Sequence, residues 1–148
     1  MSLQERISQE IKSAMLAKDA DRLSALRMLK STLGYVQIER KTESLPDADV
    51  VAIVQKEVKK RRDSIEQFEK GGRPELAAKE KQEISVLETF LPQALAPEDL
   101  EQLVRATIQE IGATSKKDMG PVIKAVQAKA AGRADGKSIS TLVGKLLP

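Results

Sequence analysis

The sequence predicts an all-α fold, and three observations carry that expectation. Apolar residues recur three and four positions apart along most of the chain, no stretch shows the strict alternation of a half-buried strand, and Gly and Pro fall mainly between the periodic stretches. The hydrophobic fraction is 41% but the aromatic fraction only 2%. A core must therefore be built from Leu, Ile, Val, Ala and Met, which suits packed helices better than a sheet.

The elements follow in order. Leu3, Ile7, Ile11, Ala14 and Met15 form a first helical pattern, and Asp19 or Asp21 can cap a second carrying Leu23, Leu26, Leu29, Leu33 and Val36. These two read as a helical hairpin. Gly34 lies inside the second pattern, where it costs about 1 kcal/mol against Ala, so a close helix contact or fraying is expected there. Pro46-Asp47 opens a long helix with Val51, Val54, Val58, Ile65 and Phe68 on one stripe, and Gly71-Gly72 stops it. Pro74 starts another through Leu76, Ala77, Ile84, Leu87, Phe90 and Leu91, ended at Leu91-Pro92. The short turn between them predicts a long antiparallel helical hairpin.

Residues 92–97, bracketed by two prolines, are the linker expected between an N-terminal helical domain (1–92) and a small C-terminal three-helix domain (93–148). Pro97 begins a helix through Leu100, Leu103, Val104, Ile108 and Ile111 that Gly112 stops. Ser115 with Asp118 has the form of a capping box, Val122, Ile123 and Val126 mark a further helix, and Ser138 is expected to cap the last, with Ile139, Leu142, Val143, Leu146 and Leu147. A proline in mid-helix removes one hydrogen bond and clashes with the preceding turn. The reading at Pro121 is therefore a separate short turn over 115–120 with the helix beginning at Pro121, and the alternative is a kink.

Composition narrows the chemistry. The 148 residues contain no His, Cys or Trp, which removes Ser-His and Cys-His nucleophile pairs, thiol redox chemistry, disulfides and nearly every zinc or copper site. No catalytic residue, metal or cofactor is expected, because the carboxylates lie on charged helix faces and neither Tyr35 nor Ser115 has an identifiable base. The charged N-terminus is unlike a signal peptide and no apolar run approaches the length of a membrane span, so the expectation is a soluble, cytoplasmic protein with no membrane partner. Net charge is +3. Residues 1–92 carry 17 cations and 16 anions while 93–148 carry 8 and 6. So small an excess is a weak nucleic-acid signal, and DNA is not an expected partner.

Two basic clusters are candidate sites. Lys56, Lys59, Lys60, Arg61 and Arg62 form the densest run, whose simplest reading is a solvated helix face balanced by Glu57, Asp63 and Glu66. Arg61 departs from that reading because it occupies the apolar stripe between Val58 and Ile65. A structural ion pair to Glu80, Glu83 or Glu88 on the antiparallel helix is expected. The second cluster is Lys116 and Lys117 with Arg133 and Lys137 in the string Gly132-Arg133-Ala134-Asp135-Gly136-Lys137. Turn and cap chemistry explains the glycines and Asp135 but not the cations, which suit phosphate contacts at helix ends. Chain reversal is expected to bring them to neighbouring edges of the three-helix domain.

The segment 54–65, the Leu91-Pro92 boundary, the Asp118-Met119-Gly120 step and the string 132–137 together resemble the YqeY family of small bacterial proteins, over essentially the whole chain and in order. That family is similar to the tail of the B subunit of the glutamine-dependent amidotransferase acting on mischarged Glu-tRNA or Asp-tRNA. The resemblance implies an all-α protein related to a tRNA-contacting appendage, without the domains in which phosphorylation and amide transfer occur. A glutamine-dependent carbon-nitrogen ligase label attaches to such proteins through the shared domain and is read as family labelling. Pro121 departs from the pattern, standing where a Lys-like residue is expected. The resemblance implies a non-catalytic module binding tRNA or a tRNA-like RNA, and the placement of Lys116, Lys117, Arg133 and Lys137 at turns and helix ends makes them the expected contacts. The alternative is a protein-interaction accessory or adaptor of an amidotransferase or aminoacyl-tRNA synthetase, docking through the long hairpin.

Overall fold

The Ser2 hydroxyl accepts the Glu5 amide and the Glu5 carboxylate accepts the Ser2 amide, so the chain enters helix α1 (Leu3–Leu16) through a capping box. The structure, a computed structural model describing residues 1–148, is all-helical: α2 (Ala20–Arg40), α3 (Asp47–Lys70), α4 (Pro74–Glu88), α5 (Pro97–Ile111), a 3-10 turn (Lys116–Asp118), α6 (Met119–Ala130) and α7 (Gly136–Leu146) follow α1. Contacts group these elements into two compact units, Met1–Leu91 and Pro92–Pro148.

In the first unit Asp19 caps α2 by accepting the Arg22 amide at 3.2 Å, and α1 runs antiparallel to α2 with Glu10 paired to Arg22 near one end and Gln4 bonded to Gln37 near the other. The core joins Ile7, Ile11, Leu26, Leu29, Leu33, Val50, Val54, Val58, Ile84, Leu87 and Phe90. On α3 the buried run is Val50, Val54, Val58 and Arg61. Val51, expected on this stripe, is only half-buried, because a helix beginning at Asp47 turns Val50 inward and leaves its neighbour at the flank. Gly34 also differs from expectation. It lies within α2, and a Cβ there would meet nothing within 4 Å, so no close helix approach requires it.

The second unit packs Leu100, Val104, Val122, Val126, Ala130, Ile139, Val143 and Leu147 into its own core. Gly112 ends α5 at φ 75°, a left-handed conformation that glycine adopts without penalty. The separate short turn is the 3-10 turn at Lys116–Asp118, and helix α6 starts after it at Met119, two residues before the expected Pro121. Pro121 is the third residue of that helix, where no intrahelical acceptor exists for its missing N–H, so it costs the helix nothing. Asp135, not Ser138, caps α7: its carboxylate accepts the Ser138 amide at 2.7 Å, which places Ser138 inside the first turn. No helix is long and apolar enough to cross a membrane.

Candidate functional site

The basic run on α3 divides by burial. Arg61 is 7% exposed and its guanidinium pairs with Glu83, itself 5% exposed, and with Glu80 at 3.2 Å. One guanidinium nitrogen lies 3.6 Å from the Met28 sulfur, and Nε has no partner. Glu88 serves Arg62 instead, at 2.8 Å. Lys56, Lys59, Lys60 and Arg62 are exposed, with Lys60 3.9 Å from Glu57. Across the α3–α4 pair, Lys81 meets Glu69 at 2.9 Å, while Lys70 meets Glu66 at 3.0 Å along α3. Cations and acids are interleaved on this hairpin, so little net field projects from it.

The C-terminal stretch is different. From Gly112 to the end the chain carries seven cations and two acids, net +5, whereas residues 1–111 carry 18 cations and 20 acids, net −2. Both acids of that stretch bond backbone amides: Asp118 accepts the Thr114 amide at 3.0 Å, and Asp135 caps α7. The expected capping box between Ser115 and Asp118 does not form: the Asp118 carboxylate turns to the Thr114 amide one residue earlier, the Asp118 amide bonds the Ser115 carbonyl, and the Ser115 hydroxyl caps the 3-10 turn by accepting the Lys117 amide at 3.4 Å. The ion pairs of this unit join Arg105 to Glu101 and Lys129 to Glu110, leaving Lys116, Lys117, Lys124, Lys137 and Lys145 exposed and without an acidic partner. Lys116 and Lys117 lie in the 3-10 turn that leads through Asp118 into α6, and Lys137 lies in the first turn of α7. Cations at helix starts oppose the macrodipole by a few tenths of a kcal/mol, so helix stability does not account for them.

Geometry separates the cations that the sequence reading placed together. A Cβ on Gly136 would lie 3.4 Å from the Gln127 side chain and one on Gly144 3.4 Å from Met119, so α6 and α7 are antiparallel. Lys116 and Lys117 therefore sit at one end of the pair and Arg133 and Lys137 at the other, separated by the length of a 12-residue helix, about 18 Å. Lys145, beside Gly144, joins the first end, which nothing in its sequence surroundings signals. Arg133 has a structural task that sequence reasoning missed: its Nε donates to the Gln93 carbonyl at 3.0 Å, and its own carbonyl accepts the Leu95 amide at 2.8 Å. The α6–α7 turn thus clamps the segment expected to be a free linker.

The surface also carries open grooves, two of which have a defined lining. One of about 480 Å³ lies between α1 and α2, but Gln4 and Gln37 within it bond each other and the backbone of Leu45 and Glu43. The other, about 410 Å³, lies in the second unit beside Gly112 and Leu146. No three His, Cys, Asp or Glu side chains are gathered as a metal site.

Comparison with known proteins matches residues 4–147 to the model of the YqeY family, described as Yqey-like protein. Three curated relatives are each named "Altered inheritance of mitochondria protein 41, mitochondrial". The Kluyveromyces lactis protein is 34% identical over 95% of this chain and 71% of its own length. That from Vanderwaltozyma polyspora is 28% identical over 71% of this chain, which spans 58% of that relative. A Saccharomyces cerevisiae protein is 28% identical over 89% of this chain and 70% of its own. These names overturn the expectation of a cytoplasmic location. Composition separates a membrane-spanning chain from an aqueous one but does not tell one aqueous compartment from another.

Proposed function

The chain belongs to the YqeY family, matched over residues 4–147, and from that premise we propose that its C-terminal unit is a non-catalytic RNA-binding module for tRNA or a tRNA-like fold. The observation that carries the reading is the charge asymmetry: five exposed lysines without acidic partners, in a stretch of net +5 whose two acids bond backbone amides. Cations at both ends of a helix about 18 Å long suit a polymer of phosphates better than one small anion. The unit contains no aromatic side chain, so aromatic base stacking plays no part and phosphate and shape contacts supply most of the affinity. An anionic lipid surface fits less well, since interfacial binding wants bulky apolar groups beside the cations and Ile111, 42% exposed, is the large apolar side chain this unit presents.

Kinship to the amidotransferase tail is part of this proposal, and the ligase label is family labelling within it. The test is titration of a tRNA transcript with the whole chain, the Lys116→Glu/Lys117→Glu variant and the Lys59→Glu/Lys60→Glu control. Loss with the first pair and not the second supports the reading. The reverse moves the site to the N-terminal hairpin, and no binding by the native chain refutes it.

A specific observation favours a second reading, docking to a protein partner, on a surface other than the long hairpin. Met28, Tyr35 and Ile38 are 54%, 74% and 77% exposed along one uncharged face of α2 with Ser24 and Ser31. A partner retained in a native pull-down after nuclease treatment, and lost with Tyr35→Glu, would support it.

A further inference from the structure

The groove of the second unit is built from two segments of chain, 105–114 and the end of α7. Arg105, Ile108 and Gln109 of α5, the residues Gly112, Ala113 and Thr114 that follow it, and Leu146 at the end of α7 line it. Thr114 lies two residues before Lys116, and Leu146 directly follows Lys145. The approach of Gly144 to Met119 brings the start of α6 and the end of α7 together, so lysines without acidic partners from two chain segments lie within three residues in sequence of the lining residues Thr114 and Leu146.

We propose that this groove holds one unstacked nucleoside of a bound RNA, with the phosphates on either side of it on Lys116, Lys117 and Lys145. The inference rests on the RNA reading above and names the feature that the same surface selects. Ile108 and Leu146 supply apolar contact for a base face. The Arg105 guanidinium, steadied by Glu101 at 2.9 Å, offers a planar cation on which a base can stack in a unit that lacks aromatics. Gln109 and Thr114 add an amide and a hydroxyl able to bond a base edge. At about 410 Å³ the cavity is within the range of small-molecule sites, about 300 to 1,000 Å³, and accommodates a single nucleoside. An amphipathic helix would need a groove several turns long, and a continuous duplex offers no free base.

The probes are an RNA hairpin carrying 2-aminopurine at an unpaired loop position and a blunt RNA duplex with the same number of phosphates, each titrated with the whole chain. The hairpin should bind at least about five-fold more tightly than the duplex, with a change in 2-aminopurine emission on binding. Arg105→Lys, which keeps the charge and removes the plane, and Thr114→Leu, which fills the groove without adding a ring, should abolish that preference and leave duplex affinity within about two-fold. Equal affinity of the native chain for both RNAs, or a preference that survives both substitutions, overturns the groove assignment. If Lys116→Glu/Lys117→Glu still weakens binding in that case, the RNA reading survives without it. Absence of binding to either RNA refutes both.

Discussion

Replacing Arg61 with Ala should cost the first unit about 3 kcal/mol. Arg61 is 7% exposed and Glu83 5%, so removing the cation strands a carboxylate where little water reaches it. Breaking a buried ion pair from one side costs about 3 to 5 kcal/mol. The lower end applies because Glu80 is only half-buried and can turn to solvent, and because Arg61 Nε already lacks a partner. For a unit of this size each kcal/mol moves the thermal midpoint by about 4 to 8 °C, so a fall of about 12 to 24 °C is expected. The assay is helical circular dichroism of the whole chain against temperature and urea. The exposed neighbour Lys60→Ala should stay within about 0.5 kcal/mol. Arg61→Met with Glu83→Leu, which removes both charges and fills their space, should recover most of the loss. A penalty below about 1 kcal/mol for Arg61→Ala, or a double variant no better than the single, would refute the reasoning.

Other predictions follow from individual contacts. Asp135→Ala should destabilise the second unit by about 1 kcal/mol through loss of its cap, and Ser138→Ala by less than half of that; equal costs in urea unfolding would contradict the capping assignment. Arg133→Ala should speed limited proteolysis within 93–96 without changing helix content, since it releases the clamp on Gln93; unchanged cleavage there would mean the clamp does not hold the segment. Purified away from host amidotransferase, the chain should convert no Glu-tRNA to Gln-tRNA with glutamine and ATP, and product above background would overturn the non-catalytic assignment.

Periodicity made the helices legible because every helix buries a stripe that local sequence records, as in Ile7, Ile11 and Ala14 or Val122 and Val126. Arg61 was legible for the same reason: a cation inside an apolar stripe demands a partner. Local choices between equivalent groups were not. Asp135 and Ser138 are both good caps, and only the path of the backbone decides which carboxylate or hydroxyl meets the free amide. The candidate site was half legible. Its residue types stood out, but which cations share an end depends on α6 and α7 being antiparallel, and the role of Arg133 depends on a contact 40 residues away. The groove left no signal, since Ile108 and Leu146 lie in ordinary helical patterns and meet only through packing.

The salt dependence of tRNA binding tests the central claim most directly. Affinity should be modest, roughly micromolar or weaker at physiological salt, and log K should fall against log salt with a slope of about −0.7 or steeper per phosphate contact. Reversing Lys116 and Lys117 to Glu should weaken binding and flatten that slope by about 1.4, the share of two contacts, with helicity unchanged because both side chains are exposed. A slope unchanged by that reversal, or flattened instead by reversing Lys59 and Lys60, would contradict a phosphate-binding surface on the C-terminal unit.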